Sequence, residues 1–123
     1  MNRNACFIIS ILFLLISCAT QQVSYRNDVA PILQSRCVQC HTAPDGSGYR
    51  ATGLELGSYD ALMQGTVYGP VIIVGDSRRS ILNMLVEGRA GKAQTMPHQE
   101  GDVLTEHELK LLSEWVNQGA HDN

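Results

Sequence analysis

Cys37-Val38-Gln39-Cys40-His41 is the stretch on which the reading of this 123-residue chain turns. It spells C-x-x-C-H. Two thiols one helical turn apart are placed to add to two vinyl groups on the rim of one porphyrin. The imidazole that follows the second thiol then lies under the iron. Three other chemistries use the same residue types. A C-x-x-C redox pair needs a preceding strand and a βαβ pattern, and neither is evident. A structural zinc site needs a fourth ligand beyond Cys37, Cys40 and His41; His98 is available, but no second paired knuckle exists. A Cys37–Cys40 disulfide is open to an exported chain, though it leaves His41 without a role. The expectation is one covalent haem c, with Cys37 and Cys40 as thioether anchors and His41 as the proximal iron ligand.

Toward the N-terminus, Met1 to Asn4 carries Arg3, and Ala5 to Ser17 is an apolar run too short to span a bilayer comfortably. This pattern predicts an export signal over residues 1–17, to be set aside from the fold. Its end, Leu15-Ile16-Ser17-Cys18, resembles the bacterial lipoprotein processing signal, in which the cysteine is acylated and becomes the new N-terminus. The resemblance implies a lipidated tether over 18–24, a folded domain over 25–123 and attachment to a membrane through lipid on Cys18. An ordinary secretory signal or an uncleaved anchor is the plainer alternative. Ala19 follows and is not acidic; in Gram-negative lipoproteins the resemblance would imply sorting to the outer membrane, with the domain facing the periplasm of the cell envelope. Cysteine usage then closes: Cys6 lies in the leader, Cys18 takes lipid, and Cys37 and Cys40 take haem, so no pair remains for a disulfide. Nine basic against twelve acidic side chains give a net charge of −3, and loss of Arg3 makes the mature chain more acidic. That balance argues against nucleic acid and against electrostatic adhesion to anionic lipid.

The motif is expected at the end of a helix. Asn27 or Asp28 can cap its start, Pro31 falls in its first turn, and Val29, Ile32, Leu33 and Arg36 share one face. After His41 the run Thr-Ala-Pro-Asp-Gly-Ser-Gly-Tyr-Arg reads as a turn-rich loop. Gly53-Leu54-Glu55-Leu56 comes next, with its alternate leucines on one side. They serve either as extended core or as a strap laying Leu54 and Leu56 on the porphyrin face, and with haem as the core the two readings coincide. A backbone carbonyl from residues 44–54 is expected to accept the His41 ring N–H. Ser58 caps a short helix, Tyr59 to Gln64, ended by Gly65. Val67 to Val74, broken by Gly69-Pro70, reads as an extended loop. Asp76 or Ser77 caps a helix running to about Glu87 and stopped by Gly88. Arg78 and Arg79 serve either as partners of haem propionates or as a solvated first turn.

Residues 88–101 form a long irregular stretch carrying Met96-Pro97. A thioether on a loop far from the histidine suits the sixth coordination position of an electron-transfer haem, so Met96 is expected on the iron with His41. His98 is the competing donor and would give two histidine ligands and a lower potential. Met63 and Met84, inside helical patterns, fit ordinary packing, and His107 and His121 fit the surface. The last helix is announced by Thr105-Glu106-His107-Glu108, a capping box, with Leu104 and Leu109 as its hydrophobic staple. Leu109, Leu112, Trp115 and Val116 form its apolar face, and Gly119 ends it. Trp115 is expected to bury its rings against the first helix and donate its N–H locally.

In this order the parts resemble the class I cytochrome c family. A helix enters Cys37-x-x-Cys40-His41, Met96-Pro97 comes late, and a C-terminal helix carries Leu-x-x-Trp-Val-x-x-Gly over 112–119. The resemblance covers about residues 25–121. Gly53-Leu54-x-Leu56 and Gly75-Asp76…Ser80-Ile81-Leu82 add to a likeness with small bacterial cell-surface and periplasmic cytochrome domains. It implies an all-α cytochrome c fold, about four short helices and long loops around one haem, with the terminal helices crossing over it. It also implies an electron carrier that meets redox partner proteins, not an enzyme, and more readily a monomer than an oligomer. Many members place a proline about a dozen residues beyond the haem histidine to supply its carbonyl partner; here Gly53-Leu54 stands there. A haem-based sensor, a small-ligand binder or a small peroxidase, each with an open sixth position, are the alternatives in other classes.

Overall fold

The computed structural model describes residues 21–98 and 102–123. The expected leader, Cys18 and Ala19 lie outside the described residues, as do positions 99–101 of the methionine loop. The described residues are helical and irregular, without strands; their one β feature is an isolated bridge between Thr66 and Gly69. They contain α1 (Ala30–Arg36), α2 (Ser47–Thr52), α3 (Tyr59–Gln64), α4 (Ile81–Val86) and α5 (Glu106–Asn117). A π-type turn, Tyr25–Val29, leads into α1, and a 3₁₀ turn, Lys92–Gln94, lies in the methionine loop. No helix among them is long and apolar enough to cross a membrane.

The first helical run begins earlier than its polar residues suggest. Ser24 is the cap: its hydroxyl accepts the Asn27 N–H at 3.1 Å, while the Asp28 carboxylate accepts the Ser24 N–H at 2.8 Å. Asp28 therefore reciprocates the cap instead of forming it. Pro31 does sit in the first turn of α1. The segment expected as free tether is also shorter. Val23 is buried, and its N–H donates to the Gln118 side chain at 2.7 Å. The C-terminal residue completes this seam. The Asn123 backbone carbonyl accepts from Arg26 N–H at 3.0 Å and from the Ser24 hydroxyl at 2.8 Å. Its side chain accepts the Tyr25 N–H at 2.7 Å and donates to the Val23 carbonyl at 3.2 Å.

Two helices match the sequence reading closely. In α3, Ser58 accepts from the Ala61 N–H at 3.2 Å, and Gly65 closes the helix at φ 78°. In α5 both halves of the capping box form: Glu108 N–H to Thr105 Oγ1 at 3.2 Å and Thr105 N–H to Glu108 Oε2 at 2.7 Å. Gly119 follows α5 at φ 110°. Two others depart from it. The run after His41 is not all loop, because Ser47–Thr52 coils into α2 and ends on left-handed Gly53. The helix expected from Asp76 or Ser77 starts only at Ile81. The reason lies in competing partners. Ser77 is buried, with its N–H on Asn117 Oδ1 at 2.9 Å and its hydroxyl 2.9 Å from that of Ser113. Those bonds fasten residues 76–79 to α5 as a separate turn, and the Ser80 hydroxyl holds the Asp76 carbonyl at 2.8 Å.

The core gathers Val29, Ile32 and Leu33 from the first helical run with Leu62, Leu112, Trp115 and Val116. Fully burying each large aliphatic side chain contributes about 1.5–3 kcal/mol. Trp115 meets Tyr25 at 5.5 Å between ring centroids and Tyr59 at 6.4 Å, edge-on. Its N–H donates to the His121 carbonyl at 3.0 Å, a local acceptor as expected. Tyr59 ties the same tail through the Ala120 carbonyl at 2.8 Å. Helix α5 is thus clamped to the N-terminal turn. That clamp sets the end of α1, where the C-x-x-C-H stretch begins.

Candidate functional site

The C-terminal end of α1 runs directly into the motif. The Leu33 carbonyl accepts from Cys37 N–H at 2.9 Å and Val38 N–H at 3.0 Å; the Cys37 carbonyl accepts from His41 N–H at 2.9 Å and Cys40 N–H at 3.1 Å. The five residues are therefore wound as tight turns, and the two cysteines lie one turn apart. Backbone bonds then tie the motif to α2 and to the leucine strap. The Cys40 carbonyl accepts the N–H groups of Gly48 (2.8 Å) and Tyr49 (3.1 Å) at the start of α2, and the His41 carbonyl accepts that of Leu56 at 2.9 Å.

His41 is half-buried and held from two sides. Its Nδ1 stands 3.3 Å from the Leu54 carbonyl, inside the 44–54 window expected to supply an acceptor. A carbonyl can only accept, so Nδ1 carries the hydrogen and the lone pair rests on Nε2. The other face of the ring is Gly48: an ideal Cβ built there would lie 2.5 Å from Cε1 and 2.7 Å from Nε2. No side chain larger than hydrogen fits without moving the imidazole. Burial, reinforced by the proximity of His98 and opposed by the Leu54 carbonyl, holds the His41 pKa below its usual value. Burial also pushes the Cys37 thiol up to about 11, with Cys40 and Glu108 adding to the rise and Arg36 opposing it. Cys40 is exposed, and both thiols are free.

These residues border a cavity of about 510 Å³, within the roughly 300–1,000 Å³ usual for cofactor and ligand sites. Cys37, Cys40, His41, Leu54, Leu56 and Met96 all line it. Each cofactor-binding residue expected from the sequence thus comes to one place. Leu54 and Leu56 are buried there. Met96 reaches the cavity from the α4 side, its N–H donating to the Leu85 carbonyl at 3.1 Å. Val71, Leu82, Leu85 and Val86 complete a largely apolar wall, and Pro97 and His98 border it as well. Among the described residues, the other methionines lie elsewhere, and Met63 packs against the core.

Arg78 and Arg79 do not line the cavity. Arg79 is exposed and pairs with Asp76 at 2.8 Å, while the Arg78 carbonyl accepts from Arg89 at 2.8 Å. Both arginines are thus exposed on the turn before α4. The cavity-lining arginine is Arg36, paired across to Glu108 on α5 at 3.3 Å. Sequence reasoning missed Arg36 in that role, and it missed Gly48 and the Leu85 carbonyl. Gly48 carried a signal in Gly46-Ser47-Gly48, which reads as a turn but also leaves one helical position bare. Among the described residues, no three His, Cys, Asp or Glu side chains are grouped so as to hold a metal ion by themselves.

Chemically, the arrangement offers two thiols at a rim, one imidazole nitrogen and one thioether around a single apolar space. Soft sulfur and imidazole are donors that hold iron, and a largely apolar cavity suits a macrocycle. Comparison of the chain with protein-family models, with curated proteins and with solved structures found no match.

Proposed function

We propose that this chain is a mono-haem c-type cytochrome with a cytochrome c fold, acting as an electron carrier. One observation supports this above the others. Cys37, Cys40, His41 and Met96, drawn from two distant parts of the chain, border one apolar cavity. Residues that merely packed a core would have no reason to present two thiols, an imidazole and a thioether to the same space. The donor set and cavity size fit a covalently held haem, so Cys37 and Cys40 would form its thioethers and His41 and Met96 its axial ligands.

When bound, this group supplies a one-electron iron couple. The chain's own residues do the rest. The Leu54 carbonyl fixes the His41 tautomer so that Nε2 keeps its lone pair, and Gly48 lets the ring lie flush against α2. Leu54, Leu56, Val71, Leu82 and Val86 give the cavity apolar walls against which the macrocycle would pack. Met96 supplies a soft sixth donor, which favours the reduced state. With His41 and Met96 both holding the iron, no position would be left for a substrate, and the activity would be transfer of electrons rather than catalysis. Redox partner proteins would be met at the cavity mouth. The lipid on Cys18 would hold the domain to the periplasmic face of the cell envelope, at the outer membrane, as a monomer.

The test is an optical spectrum of protein matured in an exporting host, oxidised, then reduced, with carbon monoxide added last. A low-spin c-type spectrum with the far-red methionine-to-iron band and no response to carbon monoxide is expected. A high-spin form that binds carbon monoxide would replace the carrier with a sensor or peroxidase. Absence of haem would overturn the reading.

A further inference from the structure

We infer that His98 is a reserve axial donor: when the Met96 thioether is off the iron, the His98 imidazole fills the same position. This rests on the haem reading above and concerns which side chain fills the sixth coordination position. Met96 and His98 border the same cavity, and among the described residues only His41 joins them there as a further histidine or methionine. Pro97 alone separates the two, so one short displacement of the loop exchanges a sulfur for a nitrogen.

The anchoring of that loop is uneven. Met96 is half-buried, and its N–H is fastened to the Leu85 carbonyl at 3.1 Å. Pro97 has no N–H to give. His98 is exposed, and among the described residues it makes no backbone hydrogen bond. The fastened sulfur is therefore the resident donor and the exposed imidazole its substitute. A neutral imidazole is a good donor to iron in either oxidation state. The exchange breaks one dative bond from sulfur and forms one from nitrogen, and it moves no electron. Its consequence is a chain that keeps its iron six-coordinate even without Met96, with the potential lowered as expected for two histidine ligands.

The experiment uses the haem-loaded protein from an exporting host, as wild type, Met96→Leu, His98→Ala and the double variant. Leucine keeps the volume of methionine without its sulfur, so the cavity wall stays filled. Met96→Leu should lose the far-red band yet remain low-spin and fail to bind carbon monoxide when reduced. His98→Ala should keep the band, and the double variant should turn high-spin and bind carbon monoxide. If Met96→Leu alone behaves like the double variant, His98 does not reach the iron and the inference falls. A double variant that stays low-spin also overturns it, because a third donor is then at work. Should Met96→Leu load poorly, photodissociation of the methionine in the reduced wild type, with and without His98→Ala, reports the same exchange: a transient nitrogen-ligated species that is lost in the variant. A wild type lacking haem fails the functional reading itself, and that is seen before any variant is made.

Discussion

Gly48→Ala isolates the fit between α2 and the imidazole of His41. Gly48 needs no left-handed backbone, since its position is ordinary helix. By propensity alone, alanine there should stabilise α2 by about 0.5–1 kcal/mol. The added methyl, however, would lie 2.5, 2.7 and 2.8 Å from Cε1, Nε2 and Nδ1 of His41, where ordinary contact begins at 3.4 Å. The ring must withdraw by about 1 Å to reach van der Waals separation. Such overpacking costs about 1–3 kcal/mol. The ring also pulls against its 3.3 Å bond to the Leu54 carbonyl, whose loss costs about 0.5–1.5 kcal/mol more. The clash wins, and net destabilisation of roughly 1–3 kcal/mol is expected, or about 4–8 °C in Tm for each kcal/mol in a domain of this size. Thermal unfolding followed by circular dichroism measures the stability. In haem-loaded protein, the optical and paramagnetic NMR spectra report the displaced ligand. A variant that melts at or above the wild-type temperature, with the His41 resonances unmoved, would refute the packing argument.

Two further outcomes are expected from the same geometry. Glu108 has its pKa held below the usual 4.5, first by the Thr105 N–H and then by the Thr105 hydroxyl and Arg36, against the opposing effect of burial. A depressed carboxylate adds stability that is fully present above its unfolded value and fades as pH falls through the folded one. Urea unfolding of wild type should therefore weaken below about pH 4.5 more steeply than that of Glu108→Gln, and equal slopes would remove Glu108 from the account. Trp115→Ala removes the largest fully buried side chain among the described residues, where Tyr25, Tyr59 and the His121 carbonyl all converge. It should cost about 3–5 kcal/mol by denaturant titration, and a loss below 1 kcal/mol would show that α5 is not clamped there.

Some of this protein was determined by residues that act on their near neighbours. Thr105 and Glu108 specify the start of α5 because a capping box needs only groups three positions apart. Ser58 and Gly65 bound α3 for the same reason. The helical character of the chain, the two thiols one turn apart and the strap of Leu54 and Leu56 are likewise local patterns. Tertiary structure decided the rest, where two partners compete or the partner is distant. Ser77 could have capped a helix, but Asn117 and Ser113 on α5 claimed its N–H and hydroxyl, so α4 starts at Ile81. Asp28 could have been a cap, but Ser24, fastened by the C-terminal residue, took that place. Sequence spacing nominates Met96 as a partner for His41; only the folding of the late loop onto the Leu85 carbonyl brings it to the same cavity. Gly48 shows the difference most plainly. As a letter it marks a turn, and in space it is the bare surface against which the imidazole lies, because the Cys40 carbonyl draws the start of α2 back over the motif.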